Sequence, residues 1–100
     1  MAGKWKMNGS YTARYSEALQ MYIAEKMMPD GPMGWDPYDL VFEISEETYQ
    51  HFDEPGFEPE KHPMRFLYCT KRGYNNSAES QAYYAQVEAY WKMKKGISGQ

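Results

Sequence analysis

The plausible metal ligands or nucleophiles are His51, Asp53, His62 and Cys69. A zinc site needs several such ligands at one point, and short motifs such as Cys-x-x-Cys or His-x-x-x-His bring them there. Neither spacing occurs, and His51 and Asp53, two residues apart, do not share one face of a helix. A catalytic cysteine needs a partner base and an electropositive setting. Cys69 lies instead within Phe66-Leu67-Tyr68-Cys69-Thr70, where a thiol acts as a small buried hydrophobe. Gly-x-Ser-x-Gly elbows, Walker loops and Gly-x-Gly-x-x-Gly fingerprints are absent. The expectation is a non-enzymatic chain with no cofactor and no metal site.

Binding chemistry is better represented. Lys71-Arg72-Gly73-Tyr74-Asn75-Asn76 sets two cations beside a ring and two amides. Such a loop touches phosphates through Lys71 and Arg72 and stacks a base on Tyr74. Lys92, Lys94 and Lys95 would lengthen that patch. Against this nucleic-acid reading stands the balance of charge: the net charge is −3, and residues 25–62 carry eleven acids against two lysines. An acidic surface steers basic partners. Aromatic content is 17%, with ten Tyr and three Trp, more rings than so small a core absorbs. Trp and Tyr anchor protein interfaces. The first expectation is therefore a protein-binding module, an inhibitor or adaptor of the kind phages direct at host machinery. Its partner surface is read at Asp30, Trp35, Asp36, Tyr38, Asp39 and Phe57. Nucleic-acid binding through Lys71, Arg72, Tyr74, Lys92, Lys94 and Lys95 is the alternative.

These residues need elements to position them. Tyr11, Tyr15, Ala18, Leu19, Tyr22, Ile23 and Met27 recur at helical spacing, which predicts a first helix ended by Pro29. Residues 29–37, with three prolines and two glycines, read as a loop. Tyr38 to Ile44 alternate as a strand, and Ser45 caps a short helix with Glu46 and Glu47 in its first turn and Tyr49 and Phe52 as anchors. A loop over 53–63 leads to a strand over Met64–Thr70, apolar on both faces and so read as central. A long last helix follows, with Asn76 and Glu79 as a capping pair and Gly96 at its C-cap. One stripe of it is aromatic (Tyr83, Tyr84, Val87, Tyr90, Trp91), and another is small (Ala78, Ala82, Ala85, Ala89), fit for helix 1 or a partner chain in a homodimer.

Gly3-Lys4-Trp5-Lys6-Met7-Asn8-Gly9 resembles the opening strand of triosephosphate isomerases, where Lys6 would contact a substrate phosphate. The resemblance ends after seven residues, and 100 residues fall far short of the roughly 250 of a (β/α)₈ barrel. What remains is a strand followed by a turn. The fold class is thus α+β: one small sandwich over residues 1–100, with a two- or three-stranded sheet, two main helices and one short helix. A single cysteine points to a reducing compartment, and neither a leader nor a run of 18 apolar residues is visible. A cytoplasmic chain with no membrane partner is expected.

Overall fold

A computed structural model describes residues 5–29 and 37–98. Five strands form one sheet: β1 (Lys6–Asn8), β2 (Tyr11–Ser16), β3 (Met21–Met28), β4 (Tyr38–Glu43) and β5 (Arg65–Cys69). They lie in chain order, and every neighbouring pair is antiparallel. The short helix α1 (Glu46–His51) follows β4, and the long helix α2 (Ala78–Ser98) follows β5. The fold is α+β as expected, with a larger sheet and one long helix fewer.

The missing helix is a hairpin. Residues 11–27 form β2, a turn and β3. A spacing of four residues satisfies both repeats, because i and i+4 share a face in a strand as well as in a helix. Tyr11 and Tyr15 lie on one face of β2 for that reason. Aromatic and β-branched residues (Tyr11, Thr12, Tyr15, Tyr22, Ile23) favour the pleated form. The turn is closed by Gln20, which donates its N–H to Ser16 O at 2.7 Å and takes a left-handed φ of 59°. Leu19 N–H donates to Ser16 Oγ at 3.2 Å.

The register sorts the side chains onto two faces. On one lie Tyr11, Ala13 and Ala24, joined by Ile44, Tyr49 and Phe52 into a core beneath α1, with Phe57 and Met64 packed at its margin. Ala13 pairs with Ala24, and their small side chains let Tyr49 and Phe52 approach the sheet. Ser45 caps α1 as expected, its Oγ accepting from Thr48 N–H at 3.0 Å. Asn8 fastens β1 to this layer by donating from Nδ2 to Phe52 O at 2.9 Å and Phe57 O at 2.8 Å.

The opposite face is covered in part by α2. Leu19, Ile23, Val41, Leu67 and Tyr68 form the second core, packed against Tyr83, Tyr84 and Val87. The sheet is therefore covered on both faces, but by different elements over different strands. Strand β5 is an edge strand, which corrects its central placement. Its two-sided apolar pattern arises from a register shift opposite Val41 and Phe42, which seats both Leu67 and Tyr68 in the core under α2.

Ser77 rather than Asn76 caps α2: Ser77 Oγ accepts from Ser80 N–H at 3.0 Å. It also runs through Gly96, so no C-cap forms there. Gln86 Nε2 donates to Ala18 O at 2.9 Å, and Tyr90 Oη donates to Glu17 Oε1 at 3.0 Å. These bonds tie the middle of α2 to the β2–β3 turn, and residues 91–96 beyond them are all exposed. Trp91, the last member of the aromatic stripe, is 55% exposed. With no first helix, Ala78, Ala82, Ala85 and Ala89 face solvent.

Candidate functional site

The part of the sheet that α2 leaves uncovered is built from three rows. Across the strands, Met7 pairs with Thr12, Thr12 with Glu25, and Glu25 with Val41. One row along, Met27 pairs with Asp39. On the other side Arg14 pairs with Ile23 and stacks on the Trp5 ring, its Cζ 4.9 Å from the centroid. Alternation along each strand turns these side chains to the α2 face, where Ile23 and Val41 are buried, Arg14 and Glu25 are largely covered, and Met7 and Met27 stand open.

The result is a hollow of about 370 Å³ with Trp5, Met7, Met27, Thr12, Glu25 and Asp39 around it. Its apolar members are unusually open: Trp5 is 62% exposed, Met7 71% and Met27 61%. Its floor is charged. Arg14 Nε donates to Glu25 Oε1 at 3.0 Å, and both side chains are largely covered. Burial pushes the Glu25 carboxyl above its ordinary pKa of 4.5, and the Arg14 guanidinium only partly opposes that. Arg14 thus holds Trp5 from above and Glu25 from the side, so the aromatic wall and the acidic floor are one assembly.

The expected partner residues divide. Asp39 lies in this hollow. Asp30, Trp35 and Asp36 lie outside the described residues. Phe57, expected as an exposed ring, instead stacks on His62 with centroids 4.3 Å apart and packs on Phe52, under the α1 face. Tyr38 turns away from the hollow and meets Tyr74 edge to face at 5.0 Å. Sequence reading missed Trp5, Met7 and Met27 as one surface. Their signal was alternation, since each is offset from its neighbours by a period of two once 11–27 is a hairpin.

The basic residues also separate into two groups. Residues 72–74 form a single 3-10 turn after β5. Asn75 locks it: Oδ1 accepts from Cys69 N–H at 2.7 Å and Nδ2 donates to Cys69 O at 2.9 Å. Lys71 Nζ lies 5.3 Å from the Tyr74 ring, and Arg72 Cζ 5.8 Å from that of Tyr84. Lys92 and Lys95 border a different cavity, of about 360 Å³, between α2 and the end of β5. Lys94 lies over Tyr90, at 6.0 Å from its ring centre.

Of the residues with catalytic potential, His51 and His62 line one hollow of about 310 Å³ together with Glu47, Thr48 and Glu54, and Cys69 is not among its lining residues. His51 Nδ1 pairs with Glu54 Oε2 at 2.8 Å. Cys69 is 1% exposed, its Sγ accepting from Lys71 N–H at 3.4 Å. Among the described residues no three His, Cys, Asp or Glu side chains group as metal ligands, and no helix is long and apolar enough to cross a membrane. Compared with known proteins, the chain matches no family model, no curated protein and no solved structure.

Proposed function

We propose that this protein is a non-enzymatic binding module, an inhibitor or adaptor, that grips a protein partner on the sheet face bounded by Trp5, Met7 and Met27. One observation carries the reading: three large apolar side chains stand more than half exposed around two carboxylates on a rigid sheet. Exposed apolar groups gathered on one surface mark interaction sites, whereas scattered ones do not. Rings and methionines supply the desolvated anchor, and Met adapts its shape to the partner. Glu25 and Asp39 select a basic side chain beside the partner's apolar ones. A site on paired strands is more precise than one on a loop.

Selection of peptides from a displayed random library on the immobilised protein tests this. Enriched peptides carry a Lys or Arg flanked by apolar residues, and they are lost on a Trp5→Ala/Met27→Asp variant that keeps the parental circular dichroism. Equal binding by parent and variant contradicts the reading. Enrichment of acidic sequences instead moves the site to Lys71, Arg72 and the lysines of α2.

A further inference from the structure

We propose that the cavity between the C-terminal half of α2 and the end of β5 binds a small aromatic carboxylate. The site has a different lining from the acidic face, takes a ligand of opposite charge, and stands without the protein-binding reading.

The cavity measures about 360 Å³, within the range of small-molecule sites. Its walls are the rings of Tyr68, Tyr84 and Trp91, and its rim carries Lys92 and Lys95. Tyr68 and Tyr84 meet edge to face with centroids 6.1 Å apart, so together they form a corner rather than a flat wall. Trp91 sits on the first turn of α2 beyond the bond that ties Tyr90 to Glu17, and it is 55% exposed. A planar ring entering here is stacked by Trp91 and edged by the two tyrosines, in the offset and T-shaped contacts aromatic groups prefer.

The inner end supplies hydrogen bonds. Tyr68 is only 4% exposed, yet no hydrogen bond to its hydroxyl is formed within the described residues. Among those residues no buried side-chain oxygen or nitrogen is sealed off without a partner. Tyr68 lines the cavity, and we place its hydroxyl at the inner end, on the side where it feels the charges of Glu25, Arg14 and Asp39. Burial, reinforced by the charge of Glu25, pushes this phenol up to about 12, so it is a neutral donor at physiological pH. Thr70 Oγ1 accepts from Asp39 N–H at 2.8 Å and retains its own proton to give. Polar groups of this kind fix orientation in an otherwise apolar pocket.

The rim supplies charge. Lys92 and Lys95 lie three apart, neighbours on one helix face, and outnumber the single Glu88 beside them. An anion is favoured, and its attachment to a ring lets it reach the rim while the ring stays between Trp91 and Tyr84. A hydroxyl or carbonyl at the far side of that ring would take the Tyr68 proton.

Indole-3-acetate titrated into the ¹⁵N-labelled protein, followed by amide shifts, tests the assignment. The expected result is saturable shifts confined to residues 68–72 and 84–96. Indole and acetate alone bind at least tenfold more weakly, and Lys92→Gln/Lys95→Gln weakens indole-3-acetate at least fivefold. Tyr68→Phe keeps the ring, and its native spectrum separates folding from binding; it lowers affinity severalfold for 4-hydroxyphenylacetate and little for phenylacetate. No saturation by about 10 mM, a limit below any useful affinity, overturns the proposal. Unchanged binding by the double lysine variant, or shifts centred on β1 and β2, does the same. Binding of adenosine monophosphate in preference to both carboxylates reassigns the cavity to nucleotides and also overturns it.

Discussion

The rings of Tyr38 and Tyr74 meet edge to face with centroids 5.0 Å apart, joining the first residue of β4 to the turn after β5. Each was expected on a different and competing binding surface. Their contact brings one residue of each expected surface together at one corner and gives both rings a structural task. Asp39 N–H donates to Thr70 Oγ1 and Thr70 N–H to Asp39 O beside them, extending the β4–β5 ladder into that corner. A double-mutant cycle on Tyr38→Ala and Tyr74→Ala should give a coupling of about 0.5–1.5 kcal/mol in denaturant unfolding. Additive effects would show the rings act separately.

Helix α2 and helix α1 anchor differently, and truncation separates them. Phe52 is fully buried, whereas Trp91 is more than half exposed. Phe52→Ala should cost about 3–5 kcal/mol of unfolding free energy. Trp91→Ala should cost less than about 1 kcal/mol, as exposed substitutions do. A comparable loss for both would put Trp91 in the core.

Glu25 makes stability depend on pH in a set direction. Its folded pKa is raised, so folding favours the protonated carboxyl, and that contribution is full below the ordinary value of 4.5 and lost as pH climbs through the raised one. Glu25→Gln does not titrate. The stability of the parent relative to this variant should therefore fall between pH 4 and pH 7 in urea unfolding. A relative gain over that interval would mean that attraction to Arg14 outweighs burial.

The turn at Gln20 holds strain that glycine would relieve. A left-handed φ costs an L-residue about 1–2 kcal/mol, and Gly recovers most of it against its own greater unfolded entropy. Gln20→Gly should raise stability by about 0.5–1 kcal/mol. A loss would mean that the Gln20 Nε2 bond to Glu17 O, at 2.7 Å, matters more than the backbone.

Sequence alone was most informative where chemistry is local. Ser45 as a cap, Glu46 and Glu47 in the first turn, and Tyr49 and Phe52 as anchors follow from rules acting within one helical turn. The strands over 38–43 and 65–69 also emerged from alternation. Residues 11–27 did not, because Tyr11, Tyr15, Leu19, Ile23 and Met27 are spaced by four, a step common to both repeats, and the turn at Gln20 lacks the Gly or Asn that announces a hairpin. The error hid the candidate site. Trp5, Met7 and Met27 come together only through strand register, and Asp39 joins them while Phe57 goes to the other face. No local pattern encodes that long-range pairing.

Surface plasmon resonance on a library-selected peptide bears most directly on the proposed binding face. Trp5→Ala/Met27→Ala should speed dissociation at least tenfold, since desolvated anchors govern residence time. Asp39→Asn should slow association and flatten its dependence on salt, since charge acts mainly on encounter. Lys71→Ala/Arg72→Ala should leave both rates unchanged. The opposite pattern, with parental kinetics for the Trp5, Met27 and Asp39 variants and lost binding for Lys71→Ala/Arg72→Ala, would contradict the assignment of the acidic sheet face and place recognition on the basic turn.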